Sequence, residues 1–379
     1  MKRISLYVVL LLLASTLMAG CQNGNNRTSA MLDEVDVTVA YAQGFRLAQG
    51  DGYRRIDIVN PWDTTTLLHT YILVSHDDTL PAQLPEGEIV RTPLRNSLVF
   101  SSVHCSLLDE LECLDAVGGI CDSRYIYNEV LRQRLADGTL TDAGNSTAPN
   151  IEAIIDLNPD AILLSPFENV RHERLVNTCI PIVECADYME ATPLGRAEWI
   201  RLFGWLYGCS DRADSLFNTV KENYIATTQR LAQATHKPKV ITERRTGQVW
   251  YIPGGNSYMA TLLHDAGASY PWSDNDKTGS IPLSFENVFE KGQDADYWII
   301  KYHAAEDMTY ESLCEEYAPH TRFKAFEQEH IYGCNTQYRN YYEETPFHPE
   351  RLLQDLAAIF HPSLFEGHVP FYYTPLSHE

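Results

Sequence analysis

The chain has 379 residues, with 29 Lys and Arg against 51 Asp and Glu and a formal charge of −22. That length allows two ordinary domains with full cores. The acidic balance argues against nucleic acid as a partner, because phosphate binding needs clustered Lys and Arg, and it says little about a small ligand.

MKRISLYVVLLLLASTLMAGCQNGNNR opens the chain. Lys2 and Arg3 precede an apolar run from Ile4 to Met18 that is short for a membrane span of about 20 residues. A positive start and the small residues Ala19 and Gly20 predict a secretory signal over residues 1–20. The junction resembles the lipobox of bacterial lipoproteins, in which Cys21 becomes the lipidated first residue. Acyl chains bind membranes at about 0.8 kcal/mol per buried CH2, and two or more anchor stably. The expected location is periplasmic, lipid-anchored to the cell membrane through the polar tether 21–32. Eight cysteines remain, and an oxidising compartment permits disulfides. None forms C-x-x-C, so a structural zinc site is not expected.

Residues 33–88 form a β-rich extension, with a turn at Gly50-Asp51-Gly52, and read as a small antiparallel appendage. From about residue 91 strands and helices alternate. Strands are predicted over 96–102, 117–120, 161–165 and 180–184, with helices over 103–114, 151–157 and 170–177. This pattern predicts a parallel sheet in an N-terminal α/β lobe, residues 89–209. Residues 193–207 are helical. After Gly208-Cys209, a bridging helix is predicted within 210–236, capped by Ser210. Leu216, Phe217, Val220, Tyr224, Ile225 and Leu231 give it a 3.6-residue apolar period. The alternation restarts in a C-terminal α/β lobe, 237–379, with strands over 238–243, 248–252, 297–301 and 330–334 and a closing helix over 349–360.

One phrase occurs twice. Glu152 opens a short helix that leads through Asp160 into Ala161-Ile162-Leu163, and Glu286 opens one that leads through Asp296 into Tyr297-Trp298-Ile299. The repeat marks corresponding positions in two lobes of similar order.

From these residues the chain resembles the ABC-importer substrate-binding proteins that capture ferric siderophores, haem and vitamin B12 (cobalamin). Ser97-Leu98-Val99-Phe100-Ser101-Ser102 is similar to the family's first strand–helix unit. The stretch Pro149-Asn150-Ile151-Glu152 with Leu157-Asn158-Pro159-Asp160 resembles its most recognisable segment. Ile180-Pro181-Ile182-Val183 follows Cys179, where Gly is common, and Phe360-His361-Pro362 is also typical. The resemblance covers roughly residues 91–365. It implies two Rossmann-like lobes joined by one long rigid helix, the class III periplasmic binding protein architecture, here with the β-rich extension added. It also implies an ABC permease and its ATPase as partners, with Glu152 and Glu286 docking on the permease.

Two-lobed α/β proteins bind ligands at the carboxyl ends of strands. The ligand-binding candidates are Ser102, Arg124, Tyr125 and Phe167 in the first lobe, and Arg244, Trp250, Tyr251, Trp272, Tyr302 and Arg339 in the second. Aromatics suit a flat or apolar macrocycle, and Arg suits the oxygens of a ferric chelate. A ferric siderophore is the expected cargo, with cobalamin or haem as alternatives, and no permanently bound cofactor or bare metal is expected. His104, on an otherwise apolar helix, reads as a packed residue. G-x-S-x-G, H-E-x-x-H, the P-loop and G-x-G-x-x-G are absent, which leaves an enzyme without a motif. A monomer without catalysis is expected, and a lipoprotein receptor or adhesin is the more remote reading.

Overall fold

The structure, a computed structural model, describes residues 34–378, so the leader, Cys21 and the tether lie outside the described residues. Two sheets carry the two lobes. In the first, Ile182–Glu184, Ala161–Leu164, Ser97–Val99, Val117–Ile120 and Thr141–Asp142 run parallel in that spatial order. In the second, Val240–Thr242, Tyr297–Tyr302 and Ile331–Asn335 are parallel, with Thr374–Pro375 antiparallel at the edge. Strands covered on both faces are written as continuous apolar runs, and Ala161–Leu164 is buried at every position.

The repeated phrase has one structural meaning in both lobes. The Asp160 carboxylate accepts the backbone N–H groups of Arg95 and Asn96 at 2.7 and 3.0 Å, just ahead of the strand Ser97–Val99. The Asp296 carboxylate accepts the N–H of Lys239 at 2.8 Å, just ahead of Val240–Thr242. Each aspartate N–H also donates back, to the carbonyls of Asn96 and Lys239. Each pair locks the entry of two adjacent parallel strands. Register slips would move every side chain to the wrong face of the sheet.

Ser210–Leu231 forms the bridging helix, 22 residues and about 33 Å long at 1.5 Å per residue. Its buried stripe is Ala213, Phe217, Val220, Tyr224, Thr227 and Leu231, while Leu216 and Ile225 are half-buried. Cys209, not Ser210, is its N-cap. The helical stretch before it divides at Trp199 into Pro193–Glu198 and Ile200–Leu206.

Two expectations are corrected. Residues 248–252 do not join the parallel sheet: Val249–Pro253 pairs antiparallel with Arg245–Thr246 and Ser280–Leu283. Gly247, at φ +61°, reverses the chain there, so no crossover helix can form. The β-rich segment is also no appendage. Its five strands, Val35–Val37, Phe45–Gly50, Tyr53–Val59, Leu67–Ser75 and Glu88–Thr92, form one sheet whose last pair is parallel. Phe45, Leu47, Ile56, Ile58, Tyr71 and Leu73 belong to the same core as the first lobe.

Two buried carboxylates fasten this sheet. Glu198 accepts the backbone N–H groups of Ala40, Tyr41 and Ala42 at 2.7–2.9 Å, and Glu190 accepts those of Gln43 and Gly44. Arg201 lies 3.4 Å from Glu198, and the Trp199 indole donates to Glu190 at 3.0 Å. Buried polar groups left without partners cost about 1–3 kcal/mol each. Glu198→Ala is therefore expected to lower stability by about 1–3 kcal/mol in urea unfolding, since the three N–H groups that lose their acceptor are only partly shielded from water. Cys179 has φ +58°, a left-handed conformation that costs side-chain-bearing residues about 1 kcal/mol. Cys179→Gly is accordingly expected to leave stability unchanged or raise it by up to about 1 kcal/mol, measured in the same way.

Candidate functional site

The carboxyl ends of strands from both sheets meet at one cavity of about 540 Å3. The first lobe contributes Phe100, Ser101 and Ser102 after one strand, and Cys121, Asp122, Tyr125 and Tyr127 after the next. The second contributes Lys301, Tyr302, His303, Thr336, Tyr342 and Glu343. Tyr125, Tyr127 and Tyr342 are 50, 41 and 54 % exposed, so phenol rings of both lobes stand open at this cleft. A second cavity of about 710 Å3 on the first lobe shares Phe100 and Ser101 with the cleft and is lined by Phe167, Val170, Arg171 and Arg174.

The polar groups of the cleft are paired. Lys301 donates to Glu243, and burial of its ammonium is outweighed by that carboxylate, which holds its pKa above the ordinary value. Burial pushes the Glu343 carboxyl up, and Ser102 donates to it across the cleft at 3.3 Å. The Tyr302 hydroxyl accepts the Met308 N–H at 2.9 Å and is pushed up to about 12, chiefly by burial. Asp122 and Glu243 follow strands of the two sheets with φ of +52° and +61°. Such left-handed, non-glycine turns concentrate where side chains are aimed at a ligand.

Of the ligand candidates, Ser102, Tyr125 and Tyr302 line this cleft. Arg124 borders it, with its guanidinium 4.6 Å over the Tyr125 ring. Phe167 lines the adjoining cavity and is 56 % exposed. The others stand elsewhere. Trp250 is fully buried, its indole donating to the Thr242 carbonyl at 2.9 Å and stacked on Trp298, so it is core. Trp272 is buried edge-to-face against Tyr270. Tyr251 stands on the antiparallel hairpin sheet, Arg244 pairs with Glu316 at 2.9 Å, and Arg339 lies over the Phe371 ring at 4.7 Å. These five are not among the residues lining the cleft. His104 is buried, as its apolar helix implied, and bonds Asp187 at 2.9 Å.

The sequence reading missed Asp122, Tyr127, Lys301, Thr336, Tyr342 and Glu343 in the cleft. Lys301 was legible: a lysine ending the otherwise apolar run YWIIK has to leave the core at a strand's carboxyl end. Tyr342 and Glu343 sit on a single helical turn, Tyr341–Glu344, with no periodicity to reveal it.

Glu152 and Glu286 are both exposed in the first turns of matching helices, Ile151–Leu157 and Phe285–Gly292. Asn150 and Ser284 cap those helices by accepting the N–H groups of Ala153 and Asn287. Hydrogen bonds from its own N–H and from Ser284 hold the Glu286 carboxyl below its usual range.

Residues 115–338 match the periplasmic binding protein family, which is more than half of the chain. The chain belongs to that family. An uncharacterized lipoprotein of Methanocaldococcus jannaschii is 26 % identical over 97 % of this chain and 95 % of its own length. Among solved structures, an ABC-type Fe3+-hydroxamate transport system of Saccharomonospora viridis is 19 % identical, with a TM-score of 0.54 over 71 % of this chain and 94 % of that one. The periplasmic heme-binding protein RhuT of Roseiflexus sp. RS-1 is 18 % identical, also with a TM-score of 0.54, over 71 and 99 %. These structures share the fold, two α/β lobes about a long helix. This periplasmic binding protein is a binder, not an enzyme. Among the described residues no helix is long and apolar enough to cross a membrane, and no group of three metal-ligating side chains is assembled.

Behind the cleft a second polar contact joins the lobes. His348 bonds Glu110 of the first lobe at 2.6 Å and Glu350 of the second at 2.9 Å. Burial opposes its charge, yet these two carboxylates raise its pKa from 6.5 to about 9. A raised pKa favours the folded state while the imidazole is protonated. The contribution is full below about pH 6.5 and fades as the pH rises through 9. A loss on the order of 3 kcal/mol is expected across that window, at about 1.4 kcal/mol per pKa unit. Urea unfolding at pH 6 and pH 9.5 checks it, and His348→Gln is expected to flatten the difference.

Proposed function

We propose that this chain is the substrate-binding component of an ABC importer, catching a ferric siderophore between its lobes and delivering it to the permease. The observation that carries the reading is the cleft: exposed tyrosines from both lobes surround a space at the carboxyl ends of two parallel sheets, in a chain of the periplasmic binding protein family. The ionic groups there are already paired, as Lys301 with Glu243. Aromatic walls recognise the apolar faces of a bulky chelate without needing strong net charge. The adjoining cavity, with Arg171 and Arg174, adds room and two cations for chelate oxygens. The Fe3+-hydroxamate relative supports the same cargo class. Haem is the second reading, favoured by His303 and the tyrosines at the cleft, since both residue types ligate haem iron.

On this reading the leader directs export, Cys21 carries lipid and the protein works at the outer face of the cell membrane. Glu152 and Glu286 present the loaded lobes to arginines of the permease, and their separate lobes make the docking sensitive to closure. Hydrolysis of ATP takes place in a different subunit.

Trp250 and Trp298 are core residues, so calorimetry is a better readout than tryptophan fluorescence. Titration of the soluble form with ferric hydroxamate, ferric catecholate, ferric citrate, haem and cobalamin is expected to give submicromolar binding for one of them. Tyr125→Ala and Tyr342→Ala are each expected to weaken it about tenfold, or about 1.4 kcal/mol. Absence of binding to all five by folded protein refutes the reading. In cells, charge reversal at Glu152 and Glu286 together is expected to abolish uptake while affinity stays intact. Unchanged uptake removes the docking role.

A further inference from the structure

Two cysteines that the cleft does not use lie side by side. Cys113 follows the helix Ser102–Glu110, and Cys209 is the N-cap of the bridging helix. They are 96 positions apart in sequence, yet their sulfurs are 3.6 Å apart, in van der Waals contact. Among the described residues no other two cysteines are in such contact. We propose that Cys113 and Cys209 are a disulfide-forming pair that staples the first lobe to the head of the bridging helix.

The surroundings prepare the reaction. Arg212, in the first turn of the bridging helix, donates to the Glu110 carbonyl at 2.9 Å and pairs with Glu112 at 2.5 Å. That guanidinium holds together the same two segments the disulfide would join. Both cysteines are half-buried, and a cavity of about 690 Å3 lined by Gly208, Cys209, Ser210 and Arg212 opens onto Cys209. Cys105, Cys185 and Cys334 are fully buried, and Cys121, which borders the cleft, has no cysteine in contact with it.

Electrostatics assigns the two sulfurs different parts. The Cys113 thiol donates to Cys209, which with Arg212 holds the Cys209 thiol below its ordinary pKa. The Cys113 thiol is held above its ordinary value by that hydrogen bond and by burial. A helix N-terminus adds positive potential at Cys209. Cys209 is therefore the attacking thiolate. It displaces one sulfur of a disulfide carrier, an envelope thiol oxidoreductase or a small disulfide, and forms a mixed disulfide. Cys113 loses its proton and attacks the Cys209 sulfur, and the carrier departs as its second thiolate. The two cysteines lose two protons and two electrons, and the carrier's disulfide gains both. A cross-link closing so long a loop removes much conformational freedom from the unfolded chain.

In the cell the bond rests on the proposed export, so the experiment has two arms. In the first, full-length protein purified in detergent is treated with oxidised glutathione, digested without reductant and analysed by mass spectrometry. A Cys113–Cys209 linked peptide that disappears on reduction is expected, with a melting temperature a few degrees above that of the reduced protein. Cys113→Ser and Cys209→Ser should each abolish both signs. No linked peptide from folded protein overturns the proposal. In the second arm, protein alkylated in intact cells before extraction reports the compartment. A pair that closes in the test tube but is alkylated in cells supports the pair and refutes the export reading alone.

Discussion

The molecule depends on a carboxylate placed at the mouth of two parallel strands. Asp160 and Asp296 each bind the backbone just ahead of the neighbouring strand, and so fix where both strands of a pair begin. Because the strands are held in register, residues that follow them, as distant as Ser101 and Tyr302, reach a common cavity at their carboxyl ends. Antiparallel strands gain register from their turn. Parallel strands joined by long crossovers do not, and need such a device. A helix before each aspartate adds Glu152 or Glu286 at its exposed first turn, so the same short phrase sets both the sheet and the outer face of its lobe.

The β-rich sheet follows from a different constraint. Its leading loop, residues 40–44, offers a row of backbone N–H groups with no strand to receive them. Glu190 and Glu198 supply acceptors from the helical stretch before the bridge. Tyr71 reaches the edge strand of the first lobe, donating to the Ile182 carbonyl at 2.8 Å and accepting the Glu184 N–H at 3.0 Å. The sheet is thereby part of the first lobe's core.

Much of this was legible in the sequence, and the exceptions share a cause. Continuous apolar runs such as AILLS gave the central strands, and the apolar period of the bridging helix gave its buried face, because both signals are local. Trp250 was misplaced because a strand followed by aromatics looks the same whether it continues a parallel sheet or turns back at Gly247. Its burial depends on stacking against Trp298, nearly fifty residues away. The appendage reading failed for the same reason: Glu198 is an ordinary helical glutamate until the N–H groups of residues 40–42 arrive from more than 150 positions upstream. Short helical turns at the cleft, such as Tyr341–Glu344, carry no period at all.

The seam between the lobes is unequal at its two ends. One first-lobe helix, Ser102–Glu110, touches the second lobe near both ends. At the cleft end Ser102 makes one long bond of 3.3 Å to Glu343, beside solvent. At the far end Glu110 makes a 2.6 Å bond to the buried His348, which Glu350 also holds. Charged hydrogen bonds are roughly twice as strong as neutral ones, and burial protects them from screening. The far contact is therefore the stronger of the two, and the seam is tighter at its back than at the cleft.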